Sequence, residues 1–403
     1  MSLKWKVDSE RSVTVSSFEK KGWSRASSDD DWNVYWASVH TIKYLFNPET
    51  RYRLGDDQLL NHFPNHYELT RKDLLVKNIK RYRKDMEKEG HPLAERGPTG
   101  EFTHLEIVPP TYTLPAELPL FLDHYRRNLN SLWILKPSAR AQGFGVFIVN
   151  KLSQLQKFAK RWHNNSNVAV RDMYVASRYI HNPLLIGGRK FDLRLYVLVT
   201  CYKPLIAYIH RQGFARFCTQ QYSLDLSSLD NHFMHLTNIA IQKHGTDYNA
   251  ENGCKWSMSN LRLYLDHTYG LARTNKCFDE IEFIIEHSLR ACQGVIVNDK
   301  HCFECYGYDI IIDDELRPWL IEVNASPSLS VTTAADRAMK VQVISDSLDI
   351  VVPGGVCSAR SKLQVDPPTM GGFSVLVNDY AKEKEKQVER ERRRRMERPK
   401  VFR

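Results

Sequence analysis

Residues 308–324 read Tyr-Asp-Ile-Ile-Ile-Asp-Asp-Glu-Leu-Arg-Pro-Trp-Leu-Ile-Glu-Val-Asn, and few arrangements of a chain can accommodate them. Two β-rich runs flank Asp314-Glu315, a pair suited to a tight two-residue turn, so the segment predicts a hairpin. In that register Ile312 lies opposite Arg317 and Asp309 opposite Leu320. Side chains alternate between faces along a strand, so Ile310, Ile312, Trp319, Ile321 and Val323 share one apolar face. Asp309, Glu322 and Asn324 fall on the other. Diagonal neighbours on a sheet stand about 7–8 Å apart, near enough for three oxygen-bearing side chains to converge on one cation. Two carboxylates and an amide oxygen are the hard donors that Mg²⁺ takes beside substrate phosphates. A hairpin whose polar face simply meets water is the plainer alternative.

Two further segments carry chemistry. Lys136-Pro137-Ser138-Ala139-Arg140-Ala141-Gln142-Gly143-Phe144-Gly145 joins two expected strands, 133–136 and 146–149. Small residues there let backbone N–H groups approach phosphate oxygens, and a lysine at the strand end adds a point charge. A plain glycine hairpin fits the loop equally well when it is taken alone. Neither G-x-x-x-x-G-K-[ST] nor G-x-G-x-x-G occurs, so the P-loop and the dinucleotide fingerprint do not apply. In Gly187-Gly188-Arg189-Lys190-Phe191-Asp192-Leu193-Arg194-Leu195-Tyr196, alternation puts Lys190, Asp192 and Arg194 on one face and Phe191, Leu193 and Leu195 on the other. Such a charged row inside an apolar region needs partners. Cys302 and Cys305 form a lone C-x-x-C, which reads as structural at a strand edge. No H-E-x-x-H and no G-x-S-x-G is present, so neither zinc nor a serine nucleophile is expected.

Composition bounds the class. The chain has 403 residues, 42% apolar and 26% charged, which suits a folded globular protein of two or three domains or lobes. No apolar run reaches the ~18 residues a membrane span needs; the most apolar stretch, 193–209, contains Arg194 and Lys203. The first residues lack the hydrophobic core of a secretory signal. Eight cysteines in so long a chain are too few for a disulfide scaffold, and a reducing cytosolic setting follows. The net charge is +10, but eleven Lys/Arg against five Glu between Lys382 and Arg403 account for six of it. The remaining body is mildly basic and suits acidic partners, of which nucleic acid is only one.

Along the chain, a short strand is expected near 12–15, then a helix over 66–88 with Thr70 and Asp73 as a capping pair. That helix carries Lys77, Lys80, Arg81, Arg83 and Lys84, either a solvated basic face or a docking face for an acidic partner. Residues 90–119 are rich in Pro and Gly. A helix near 152–162 and a polar loop at 164–167 follow. Strands are expected at 174–180, 192–200 and 205–209, and helices at 260–267 and 278–292. Beyond Pro353 the chain reads as a loose linker and a charged, disordered or helical tail.

Taken together, 61–84, 133–145, 179–199, 235–244 and 300–329 resemble the tubulin–tyrosine-ligase-like family of ATP-grasp enzymes. The resemblance implies an α/β fold with mixed and antiparallel sheets. Its expected lobes are N-terminal (1–115), central (116–186) and C-terminal (187–352), with a linker and basic tail at 353–403. It implies that Lys136, Gln142 and Gly143 hold ATP phosphates. Ser177, Arg178, Tyr179 and Ile180 would line the adenine pocket, beside Lys190, Phe191 and Asp192, and Thr237 and Asn238 would also touch nucleotide. Asp309, Glu322 and Asn324 would bind Mg²⁺, Arg216 and Lys255 would grip the incoming glutamate, and Arg194 would stabilise the transferred phosphoryl group. Acidic tubulin tails and free glutamate are the implied substrates, with companion subunits and a microtubule or ciliary address, whereas nucleic acid is set aside. Glycine or tyrosine as the added residue, or a catalytically silent microtubule-binding role, stays open. Phe144 departs from the family pattern, where a lysine usually stands between the loop glycines.

Overall fold

The strand Arg189–Tyr202 organises this computed structural model, which describes residues 2–29, 31–129, 131–164, 173–245, 247–248, 254–359 and 369–396. Its first half alternates charged and apolar side chains; its second half is almost wholly apolar, as a strand covered on both faces must be. It pairs antiparallel with Leu205–Phe217 on one side and Glu304–Ile312 on the other. Pro318–Asn324 closes one end of this sheet, and Phe373–Asn378 and Thr369–Met370 extend the opposite end.

Alternation along Arg189–Tyr202 builds two cores. Leu193, Leu195, Val197 and Val199 pack with the helices Lys72–Lys88, Met258–Tyr269 and Leu271–Gln293. Tyr196 and Leu198 pack on the other face with Ala334–Val351, Ser12–Lys20 and the N-terminal sheet. That sheet is parallel, ordered Ser24–Arg25, Lys4–Val7, Val34–Trp36, Leu59–Leu60. Each fully buried large apolar side chain contributes about 1.5–3 kcal/mol, so the double cover makes the central sheet a rigid platform. A third, antiparallel sheet of Thr111–Leu114, Tyr174–Arg178, Trp133–Pro137 and Phe147–Val149 has a small core of its own around Phe121, Tyr125 and Trp133.

Several expectations need correcting. Residues 12–15 belong to the helix Ser12–Lys20, whose buried Val13, Thr14, Ser17 and Phe18 recur at helical spacing; the strand lies earlier, at Lys4–Val7. The 66–88 helix is broken at Arg71, which is extended, into Tyr67–Thr70 and Lys72–Lys88. No capping pair forms: Thr70 Oγ1 donates to His66 O (3.2 Å), and Asp73 accepts from Arg71 (2.9 and 3.2 Å). Cys302 and Cys305 are buried in different cores, and Cys305 lies on an interior strand, not an edge. The expected linker contributes Phe373–Asn378, whose Phe373 and Val377 are fully buried, and the tail begins as the helix Asp379–Met396. Beyond Asn164, the expected polar loop lies outside the described residues.

The hairpin itself has a three-residue turn, Asp314-Glu315-Leu316, with Asp313 N donating to Arg317 O (3.0 Å) and Leu316 at φ 68°. Ile312 therefore faces Pro318, and an irregularity between Asp309 and Ile310 brings Asp309 directly opposite Glu322 instead of Leu320. Leu320 and Val323 join Ile310 and Ile312 in the core. Trp319 and Ile321 do not; Trp319 Nε1 donates to Asp313 (3.0 Å) beneath the Arg317 guanidinium (4.1 Å).

Candidate active site

A cleft of about 1150 Å³, counted with its open mouth, separates the small antiparallel sheet from the central one. Alternation in Trp133–Pro137 sends Trp133 and Leu135 to the small core and Ile134 and Lys136 to the cleft. Val175 and Ser177 do the same on the neighbouring strand. The facing wall is Lys190, Asp192, Asp309, Ile311 and Glu322, with Thr237 and Asn238 at one end. Gln142 and Gly143 line it from the glycine loop at φ 63° and 79°. Arg178, Tyr179 and Ile180 complete the lining expected from sequence. The exposed Phe144 ring is not part of the wall.

Cations dominate the deep end. Burial pulls the Lys136 ammonium down to about 8, against the opposing pull of Glu322. Lys190, also lowered by burial, donates to Tyr179 Oη and to His235 O (3.0 Å each). Burial and the neighbouring Lys190 hold His235 at about 4, so its ring is neutral near pH 7. Its Nε2 lies 3.0 Å from Ser228 O and its Nδ1 2.9 Å from Tyr179 Oη, which assigns the proton to Nε2 and makes Nδ1 the acceptor.

The carboxylates alternate with arginines. Arg194 donates twice to Asp309 (2.6 and 3.0 Å), while Arg216 bridges Asp309 (2.7 Å) and Asp192 (2.7 Å). Burial raises the Asp192 carboxyl, and Arg216 offsets only part of that. At Glu322 burial also pushes upward, but Lys72, Lys136 and Arg194 outweigh it and keep the group ionised. Lys72 Nζ lies 2.9 Å from Glu322 and donates to Arg140 O in the glycine loop (3.2 Å). Asn324 is not in the cleft lining; its Nδ2 donates to Gly307 O (3.3 Å), which leaves Oδ1 as the atom to meet a cation. Two opposed carboxylates and an amide oxygen fit a hard divalent ion. Such a concentration of buried charge is costly for a hairpin that merely faces solvent.

Other expected residues lie elsewhere. Phe191 is the clearest departure, its ring buried in the core 5.2 Å from Phe217, so only its backbone can border the cleft. Arg194 and Arg216 stand behind the carboxylates, outside the cleft lining. Lys255 lines an adjoining cavity, although its strand pairs it directly with Arg216. There it meets Asp336 (3.1 Å), which Lys340 also contacts (3.1 Å). Sequence reading missed Lys72, His235, Asp336 and Lys340. Lys340 and Asp336 show only an i,i+4 spacing, ordinary for any helix. The basic face of Lys72–Lys88 is divided: Lys80 pairs with Glu117 (2.8 Å), and Arg81 and Arg83 donate to Ala291 O (3.0 Å) and Leu105 O (2.8 Å), whereas Lys77 and Lys84 are exposed.

Residues 49–358 match the Tubulin-tyrosine ligase family. A probable alpha-tubulin polyglutamylase, Ttll1 of Tetrahymena thermophila, is 49% identical over 389 residues, covering 95% of this chain and 94% of that protein. The probable tubulin polyglutamylase TTLL9 of Bos taurus is 38% identical over 388 residues, 89% of this chain and 80% of the relative. The tubulin polyglutamylase TTLL5 of Homo sapiens is 37% identical over 345 residues, which span 82% of this chain but 24% of that longer protein.

Proposed function

This chain belongs to the tubulin-tyrosine ligase family, and from that premise we propose that it is an ATP-dependent ligase of ATP-grasp type that adds glutamate to glutamate side chains of acidic tubulin tails. The observation that carries the reading is the convergence of Lys136, Lys190 and the glycine loop on one cleft, across from Asp309 opposed to Glu322. A carboxylate is a poor electrophile. The acceptor carboxylate takes the γ-phosphoryl of ATP as an acyl phosphate and releases ADP; the amine of free glutamate then attacks the carbonyl, loses a proton and expels phosphate. Asp309, Glu322 and Asn324 would hold Mg²⁺, which screens phosphate charge when bound.

The remaining roles belong to the protein. Lys136, Lys72 and the Gly143 N–H orient phosphate oxygens; Ser177, Arg178, Tyr179, Ile180, Lys190, Asp192, Thr237 and Asn238 border the nucleotide. Arg194, held behind Asp309 by two hydrogen bonds, would lend its positive charge to the transferred phosphoryl group from there. Arg216, Lys255 and Lys340 surround the seat of the incoming glutamate, where Asp336 can meet its ammonium. Companion subunits and a cytoplasmic, microtubule or ciliary location are part of the same reading. No helix of the described residues is long and apolar enough to cross a membrane.

The test is incorporation of radiolabelled glutamate into tubulin by the purified chain, with unlabelled glycine and tyrosine as competitors. Label in the tubulin tails, resistant to both competitors, is the expected outcome. Tubulin binding without any label would reduce the chain to a binding protein. Displacement by glycine or tyrosine would reassign the added residue.

A further inference from the structure

The charged row Lys190, Asp192, Arg194 continues on the same face to Tyr196, about 6.6 Å beyond Arg194 along the strand. Tyr196 lines a separate cavity, about 840 Å³ with its mouth, which lies between the segment after Asn324 (Ser326, Pro327) and the start of the N-terminal lobe (Asp8, Arg11). The tyrosine is 1% exposed, and its hydroxyl is buried without a hydrogen-bond partner. Burial raises its pKa, so it remains an O–H donor. Into the same cavity the helix Ser12–Lys20 turns its N-terminus, with Arg11 and Thr14 in the wall. That terminus has no side-chain cap and no acidic residue in its first turn. Among the described residues the N–H groups of Ser12, Val13 and Thr14 meet no acceptor, and the Arg11 guanidinium has no acidic partner.

The acceptors on the wall are already engaged. Asp8 accepts from Ser38 N (2.6 Å), Thr41 Oγ1 (2.5 Å) and the Tyr35 hydroxyl. His62 Nδ1 lies 2.7 Å from Glu304, and its Nε2 lies 3.4 Å from Ser326 Oγ. The wall's carboxylate is thus taken up, whereas the Arg11 guanidinium, the Tyr196 phenol and the open N-terminus of a helix, whose dipole favours an anion, have donors to offer. The nucleotide phosphates have their lysines on the cleft side of Arg194, so a different anion must enter here.

We infer that this cavity binds a carboxylate of the acidic acceptor chain, one belonging to a residue next to the glutamate being modified. The inference rests on the ligase reading for the identity of that chain. The cavity lies one side-chain step from Arg194, and the segment that roofs it leads directly from Asn324, so an extended peptide can reach the reaction centre and this seat together.

The experiment is fluorescence anisotropy of labelled hexaglutamate on the full chain, comparing Arg11→Gln and Tyr196→Phe with the unaltered protein. Loss of one charge-assisted contact weakens binding about tenfold in Arg11→Gln, and loss of the phenol O–H about threefold in Tyr196→Phe. Affinity for an ATP analogue stays constant in both. The melting temperature of Tyr196→Phe holds, since the hydroxyl has no protein partner to lose. Unchanged peptide affinity in both variants overturns the site, as does displacement of the peptide by inorganic phosphate as effective as by unlabelled hexaglutamate. If the unaltered chain binds the peptide through Arg11 and Tyr196 yet transfers no glutamate, the ligase reading falls and the anion site stands. If it transfers glutamate and both variants bind the peptide normally, the reverse holds.

Discussion

At Glu322 two large effects oppose each other: burial favours the neutral acid, and Lys72, Lys136 and Arg194 favour the anion and win. Glu322→Gln keeps the size and removes the charge, so it takes a hard donor from the cation seat and leaves the Lys72 and Lys136 ammoniums short of their counter-charge. Glutamate transfer should fall by at least about 100-fold, and the melting temperature should drop because the buried lysines lose their counter-charge, as label incorporation and thermal denaturation would show. Lys136 gives the pH dependence. Its folded-state value of about 8 lies below the ordinary 10.5, so between those values the unfolded chain holds the proton and the native one does not. Stability of the unliganded protein should therefore rise with pH across that window, while affinity for an ATP analogue falls, because the ammonium that meets phosphate is being lost. Calorimetry should find both trends in the parent and neither in Lys136→Arg, whose charge persists.

Among the elements, the hairpin teaches most about what a pattern can carry. Period-two alternation sorts Asp309, Glu322 and Asn324 from the isoleucines, and that sorting is visible in the residues themselves. Register is not, because it depends on turn length and on one irregularity: a three-residue turn, and Ile321 as the extra residue between Leu320 and Glu322. The two shifts together place Asp309 squarely across from Glu322, a tighter juxtaposition than the diagonal one expected. The glycine loop shows the other limit. Gly143 sits at φ 79°, and a Cβ there would come within 2.5 Å of Ile241 Cδ1 and 3.3 Å of Asn238 Oδ1. Gly143→Ala should cost about 1 kcal/mol in backbone strain and weaken an ATP analogue about tenfold by moving the loop. Equal calorimetric affinities for parent and variant would refute this.

For the molecule as a whole, the nucleotide cleft exists because two antiparallel sheets with separate cores face one another. A ligand bridging them should stabilise both: an ATP analogue at 100 times its Kd adds about 2.7 kcal/mol, readable as a rise in melting temperature. The C-terminal segment completes the central sheet. Removal of residues 369–403 strips two buried side chains, Phe373 and Val377, from the Leu205–Phe217 edge and should cost several kcal/mol, about 1.5–3 for each large side chain. Removal of 382–403 keeps that strand and the Arg290–Asp379 pair (3.0 Å), so its melting temperature should stay within a few degrees of the parent's. Thermal denaturation of the two truncations separates these cases.

The amino-acid order determined what alternation and chemistry can encode locally: the polar face of the hairpin, the charged row from Lys190 to Arg194, the glycine loop, and the helix expected over 278–292, whose Ile281, Ile285 and Leu289 are buried. Its motifs were also specific enough to point to a family. Only the tertiary structure decided that Lys72, 250 residues away in sequence from Glu322, is its ion partner, that Phe191 serves the core, and that a segment resembling a linker is a sheet strand. Local patterns follow from neighbours a few bonds apart. Partners across the fold follow from how whole elements cover one another's apolar faces, and no short window of sequence contains that information.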